Sequence, residues 1–139
     1  VSGMYLGRVF KAAFPNEKLD ENLSAVDLSR MINNPSQYKE EYVEVAYQIY
    51  ERSARLVAAS LSGLVQNLHG ANPKIKKVQV LAEGSLFWSK VKTGRASYAE
   101  TVDKTIREIL LKLKLDHIEV KIAQMENANL IGAAMAVLS

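Results

Sequence analysis

The chain contains no cysteine, and its 139 residues include only two histidines, three prolines and one tryptophan. Without cysteine, neither disulfide bonds nor thiolate metal ligands can stabilise the fold, and a reducing compartment is permitted. The longest apolar runs are too short to cross a bilayer, and the N-terminus lacks a signal peptide's basic start and apolar centre. These absences predict a soluble, cytoplasmic protein that has no membrane partner.

Motifs for self-contained catalysis are also missing. His69 and His117 have no carboxylate at a helical metal-ligand spacing, so we interpret both as surface residues. The sequence holds no serine, histidine and aspartate in a triad order, no paired-carboxylate motif and no GxxxxGK[ST] phosphate loop. It therefore predicts neither a catalytic residue nor a metal ligand in this chain.

The composition, 48% hydrophobic and 24% charged, is typical of one ordinary globular domain. A net charge of +3 is too small to indicate a nucleic-acid partner. Residues 70–116 nevertheless carry ten Lys or Arg against five acids. A solvated basic face is the simplest interpretation, and the alternatives are a surface that favours an anion such as a nucleotide, or a nucleic-acid site with strongly salt-dependent affinity.

Apolar residues at helical spacing predict helices in the first half of the chain. A short helix over residues 4–14 precedes a polar helical insertion, 15–37, in which Ser24 or Asp20 is a candidate N-cap. The strongest signal runs over 38–69, where apolar side chains recur every three or four residues without a proline. We expect one long helix there, with small residues in its second half that allow close packing.

The second half, 76–139, reads as strand, helix, strand, helix. Residues 76–83 and 118–122 alternate and are rich in β-branched side chains, while 98–115 is amphipathic. A last helix is predicted over 130–138, capped by Asn127 or Asn129. Strands joined by a crossover helix should pair in parallel.

A two-stranded sheet rarely stands alone, so a partner or a further segment should cover it. The opening at Val1 also reads as the middle of a longer sequence, which predicts an incomplete domain spanning 1–139. Exposed sheet edges would make self-association possible.

One short segment has the features of a ligand site. Gly84 and Ser85 follow the first predicted strand, where ligands bind in open α/β sheets; glycine lets the backbone approach a ligand and serine can donate a hydrogen bond. The simpler alternative is an ordinary turn, with Phe87 and Trp88 as core residues.

Taken in order, several blocks resemble the C-terminal segment of the large lobe of hexokinases. Residues 2–7, SGMYLG, match a segment of that family, and residues 52–59 resemble its long helix. Residues 80–87, VLAEGSLF, are similar to the family's V-x-V-D-G-S-L-Y, and residues 132–134 to the GAA of its last helix. Leu23 to Asn34 resembles a family segment with a serine near the nucleotide. The resemblance covers nearly the whole chain.

This resemblance implies an α/β fold: part of a ribonuclease-H-like lobe of the actin-like ATPase superfold, rich in helix, with a small parallel strand pair flanked by helices. It implies phosphoryl transfer from MgATP to the 6-hydroxyl of a hexose. The catalytic aspartate, phosphate loops and sugar-binding carboxylates of the family precede SGMYLG, so no sugar-binding residue is expected here and the isolated chain should be inactive. Mg²⁺ would be held mainly by those preceding residues. The nucleotide-binding residues it implies are Gly3, Met4, Ser29, Gly84, Ser85, Leu86, Phe87 and Trp88.

The sequence departs from the family pattern at several of these places. Glu83 replaces the usual aspartate, Met4 is lysine in some members, and Ala25 stands where some carry threonine. The usual GSG before the last helix is replaced by residues 127–131, NANLI. The alternative function is a non-catalytic sugar- or nucleotide-sensing protein of the same superfold.

Overall fold

The computed structural model describes residues 3–124 and 134–138. Helices form most of the fold, and β1 is the central strand of a three-stranded sheet with the order β2-β1-β3. The elements are α1 (Gly3–Ala13), α2 (Ala25–Asn33), a 3-10 turn (Pro35–Gln37), α3 (Glu40–Ala71), β1 (Lys77–Ala82), α4 (Tyr98–Lys112), β2 (Glu119–Gln124) and β3 (Ala134–Leu138).

The start of α2 is fixed by a cap and by the close approach of α1. Ser24 is the N-cap, and its backbone N–H donates to the Asp27 carboxylate at 2.9 Å. Gly7 of α1 lies directly against this entry, because a Cβ at residue 7 would overlap the carbonyl group of Leu23. Glycine is therefore required at residue 7 for α1 to pack here.

The long helix predicted over 38–69 is observed as α3, whose 32 residues pack against the other three helices. Its buried face is built largely from small side chains, which let its axis lie close to its neighbours. None of the described helices is both long and apolar enough to cross a membrane. The small buried residues of α3 are Ala46, Ser53, Ala54, Ala58 and Ser62.

The parallel strand pair is present as predicted. β1 pairs with β2 in parallel, with Val78 opposite Val120 and Val80 opposite Ile122, and α4 forms the crossover between them. Val78, Val80 and Ala82 are buried in the core shared with the helices, whereas the alternate residues of β1 are half-buried. Because β1 and β2 run in parallel, their carboxyl ends lie side by side at one end of the sheet.

The helix predicted over 130–138 is wrong for the part that the structure describes. Residues 134–138 form β3, which pairs antiparallel with β1 and places Ala136 opposite Val80. The free edge of β1 offers unpaired backbone N–H and C=O groups, and pairing them outweighs the helical preference of alanine. The beginning of that predicted helix and its candidate caps, Asn127 and Asn129, lie outside the described residues.

The helix predicted over 98–115 ends earlier, at Lys112. Lys114 adopts a left-handed conformation with φ of 60°. Its backbone N–H then donates to the Leu111 carbonyl at 3.1 Å, and the N–H of Leu115 donates to the Leu110 carbonyl at 2.8 Å. This is a Schellman motif, and it stops α4 although the apolar pattern continues into the buried Leu115.

Candidate functional site

The loop that follows β1 combines an open backbone position with an exposed hydroxyl. Gly84 has φ of +121°, a conformation that side-chain-bearing residues rarely adopt. A Cβ added to Gly84 would meet no described atom within 4 Å, so space above its backbone is open. Ser85, the next residue, is exposed. The loop therefore presents both features for which the sequence singled it out.

The aromatic residues of the loop fold back over the end of the sheet. The indole Nε1 of Trp88 donates to the Ala82 carbonyl at 3.0 Å, and the Phe87 and Trp88 rings lie 4.9 Å apart in an edge-to-face contact. Phe87 is buried, whereas Leu86 and Trp88 are half-buried. Both aromatic rings border a surface cavity of about 250 Å³, lined by Phe87, Trp88, Ala99, Glu100, Asp103 and Ile122.

A carboxylate oxygen next to this loop has no partner. Oε2 of Glu83 is buried, and no hydrogen bond reaches it from any described residue. A buried polar atom without a partner is uncommon, because losing water costs free energy that a hydrogen bond must offset. Oε2 of Glu83 is therefore an oxygen without a hydrogen-bond donor that is also shielded from solvent.

Helix α3 holds the loop through a chain of hydrogen bonds. The Tyr98 N–H donates to the Tyr50 hydroxyl at 2.9 Å, and that hydroxyl lies 2.7 Å from the Ser89 hydroxyl. Ser89 donates in turn to the Leu86 carbonyl at 2.6 Å. Since Ser89 has one proton to give, the proton between the two hydroxyls belongs to Tyr50, and the four groups are ordered in one direction.

The environments of these phenols keep them neutral. Burial raises the pKa of Tyr50 above its usual 10.0, although its hydrogen bonds to Ser89 and to the Tyr98 backbone act against this. Burial likewise raises the pKa of Tyr98, whose hydroxyl lies 2.8 Å from that of Ser53. Two pairs of hydroxyl groups, Tyr50 with Ser89 and Tyr98 with Ser53, therefore lie beside the loop with both phenols neutral.

Asn33, the last residue of α2, ties the far side of the loop to the candidate residue Ser29. Its side-chain oxygen accepts from the Lys92 N–H at 2.7 Å, and its amide nitrogen donates to the Lys90 carbonyl at 3.0 Å. The same nitrogen lies 3.0 Å from the Ser29 carbonyl and 3.4 Å from its hydroxyl. The structure thus brings Ser29 and the loop after β1 to a common point.

Gly3 and Met4 lie elsewhere in the described part of the chain. Both belong to the first turn of α1, which packs on α2 and α3, and the Met4 side chain is 47% exposed. Within residues 3–124 and 134–138, no hydrogen bond or ring contact joins Met4 to the loop. Their role as nucleotide contacts stays a prediction.

Sequence reasoning missed the residues that position the loop. In the sequence, Tyr50 is one apolar residue of the α3 repeat, and Asn33 stands just before Pro35 at the end of a predicted helical segment. Asn33 lies 57 and 59 residues from its two loop partners, so no local pattern could have indicated the contact.

A second cavity, about 560 Å³, has a strongly charged rim and includes no candidate residue. It is lined by Lys39, Glu40, Glu41, Glu44 and Val45.

The family model described as hexokinase matches residues 13–139, which is nearly the whole chain and includes the loop after β1. Neither a search of curated proteins nor a search of solved structures found a match.

Proposed function

Because this chain belongs to the hexokinase family, we propose that it forms the adenosine side of the ATP site of a sugar kinase. The parent enzyme would transfer a phosphoryl group from ATP to the 6-hydroxyl of a hexose. The proposed contacts are Gly84 and Ser85 against the nucleoside, with Leu86, Phe87 and Trp88 behind them. Ser29 would approach the ribose or phosphates, and Gly3 and Met4 would border the nucleotide.

The open backbone at Gly84 carries this proposal. It lies at the carboxyl end of β1, the place where open α/β sheets bind ligands. Its positive φ and the empty space beside its Cα allow a ligand to contact the peptide directly. The anchors from Tyr50 and Asn33 fix the loop before a ligand arrives, which lowers the entropy cost of binding.

The charges around the cavity support a nucleoside rather than a triphosphate at this position. Glu100 and Asp103 line the cavity, and Glu83 lies at the end of the adjoining strand. Carboxylates repel phosphates but accept hydrogen bonds from ribose hydroxyl groups and the adenine amino group.

Mg²⁺ fits less well with the residues of this chain. Among the described residues there is no group of three or more His, Asp or Glu side chains that could hold a metal ion. We therefore assign the cation that accompanies ATP in this family to residues of the parent outside the described part.

The parallel unit β1–α4–β2 supports the placement of this chain in a ribonuclease-H-like lobe of the actin-like ATPase superfold.

Trp88, the single tryptophan, allows a direct test. Adenosine, ADP and ATP should change its fluorescence saturably, and inorganic triphosphate should not. Gly84→Ala should weaken nucleotide binding by roughly tenfold or more, since it both strains the backbone and fills the open space. Gly94→Ala is the matched control, because Gly94 also has a positive φ, of 83°, and an open Cβ position but lies outside the proposed contacts. Equal loss in both variants, or no response to adenosine, would contradict the proposal.

Catalysis is expected only in the parent enzyme. The purified 139-residue chain should bind nucleotide yet show no hexose-dependent production of ADP, because no catalytic base or sugar ligand is assigned to it. Hexose-dependent turnover that remains after repurification and is lost in Gly84→Ala would overturn this part of the proposal.

A further inference from the structure

The two histidines of the chain, 48 positions apart in sequence, are neighbours in the fold. His69 lies in the last turn of α3, and His117 lies two residues before β2. Their ring centroids are 5.8 Å apart, and the ring planes are inclined by 74°. The sequence offered no sign of this pairing and predicted two independent surface residues.

Both imidazoles have nitrogen atoms free for a ligand. No hydrogen bond or ion pair joins either ring to another residue in the described part of the chain. His69 is half-buried and His117 is exposed, so solvent reaches the pair. Since the sequence contains no cysteine and no other histidine, all of its nitrogen and sulfur side-chain ligands of the type that zinc prefers meet at this one place.

From this geometry we propose that His69 and His117 together bind one borderline divalent transition-metal ion of the Zn²⁺ or Ni²⁺ class. A metal bound by a ring nitrogen at about 2.0 Å lies about 3.2 Å from the ring centroid, so two rings that share a tetrahedral ion have centroids about 5.2 Å apart. The observed spacing of 5.8 Å exceeds this by about 0.6 Å, so the two side chains would turn slightly toward the ion when it binds. No third His, Asp or Glu completes a cluster in the described part, so water fills the remaining positions.

The ion would link the end of α3 to the start of β2. Next to the pair, the Glu119 N–H donates to the Lys76 carbonyl at 2.9 Å, where the parallel ladder begins. Gly84 follows the opposite end of β1, a strand of six residues that is about 20 Å long. The histidine site is therefore separate from the proposed nucleotide site and stabilises the other end of the sheet.

Calorimetric titration of the whole chain with NiCl₂ or ZnCl₂, in a buffer without chelators, tests the proposal. We expect one ion per chain, and a rise in Tm of roughly 3–6 °C at a tenfold excess of metal over the dissociation constant, reversed by EDTA. MgCl₂ should have no such effect, because Mg²⁺ prefers oxygen ligands. Half an ion per chain together with dimer formation would overturn the proposal, since it would place the metal between two molecules.

Single substitutions identify the ligands. His117→Ala should weaken the affinity for Ni²⁺ at least about tenfold, whereas Asp116→Ala, at the exposed neighbouring carboxylate, should leave the affinity unchanged. Should His117→Ala fail to fold, electron paramagnetic resonance of Cu²⁺ bound to the unmodified chain gives an independent answer, and two equivalent imidazole nitrogens are expected. Unchanged affinity in a folded His117→Ala variant, or a spectrum with fewer than two imidazole nitrogens, would show that the rings make only an edge-to-face contact.

Discussion

The hydroxyl oxygens of Tyr50 and Ser89 lie 2.7 Å apart and join the middle of the long helix to the loop that follows β1. Because Ser89 also donates to the Leu86 carbonyl, one buried phenol positions the segment that contains Leu86, Phe87 and Trp88. The proposed binding loop thus depends on a residue of α3 that would itself contact no nucleotide.

Tyr50→Phe should therefore destabilise the protein and loosen the loop. It removes the acceptor of the Tyr98 N–H and the donor to Ser89, and the buried N–H left without a partner should cost about 1–3 kcal/mol in the free energy of unfolding. Urea unfolding measures this loss. Tyr42→Phe is the control, because the Tyr42 ring packs on Phe10 and Phe14 but its hydroxyl donates to no described group, so the change should be within about 0.5 kcal/mol.

Stability should fall in alkaline solution. Burial raises the pKa of Tyr47, Tyr50 and Tyr98 above 10.0, so the folded state keeps protons that the unfolded state releases. The contribution of these phenols is complete below about pH 10 and is lost as the pH rises further. Urea midpoints between about pH 8 and 11 should show the decline, and Tyr50→Phe should reduce its slope. Ionisation of all six tyrosines near pH 10 without unfolding would contradict the expectation.

Two helical glycines should respond to alanine with opposite signs. Gly7→Ala forces a methyl group into the Leu23 carbonyl, which is backbone and cannot rotate away, so α1 must shift, and we expect a loss of about 2–3 kcal/mol. Gly63→Ala adds a methyl group in open space within α3 and should stabilise the protein by about 0.5–1 kcal/mol. Differential scanning calorimetry compares the two variants. A Gly7→Ala variant as stable as the unsubstituted chain would mean that α1 does not pack as described.

Lys114→Gly should stabilise the protein. Lys114 is a non-glycine residue with positive φ at the position of the Schellman motif where glycine is preferred. Relief of the left-handed strain, less the entropy that glycine loses on folding, should give about 0.5–1 kcal/mol. Lys114→Ala removes the same exposed charge without relieving the backbone strain. Its melting temperature should therefore be nearly unchanged. A gain in the alanine variant equal to that in the glycine variant would assign the effect to charge.

The sequence predicted what depends on local periodicity. The apolar repeat of α3 and the alternation of β1 and β2 were enough to place these elements and their parallel pairing. Gly84 could be chosen as a candidate ligand contact because a glycine directly after a strand is a local pattern. The end of α4 at Lys112 could not be predicted, since it depends on a single backbone conformation at Lys114 rather than on the apolar pattern.

Contacts between distant segments explain the remaining differences. Residues 134–138 have the composition of a helix, and only the unpaired edge of β1, more than fifty residues earlier, makes them a strand. The clamp of Asn33 on Lys90 and Lys92 and the meeting of His69 with His117 likewise join segments that share no local pattern. The Asn33 contacts help to position the candidate loop, and none of these long-range contacts follows from a local pattern in a single sequence.

The fully buried alanines of α3 have a consequence for how this sequence can vary. Ala46, Ala54 and Ala58 are 0% exposed, so a larger side chain at any of them would separate α3 from its neighbours. In a saturation library selected for folding, these three small residues should tolerate fewer replacements than the larger Leu56, which is 54% exposed on the same helix. Along α3, the size of a side chain is therefore a poor guide to how freely it can be exchanged.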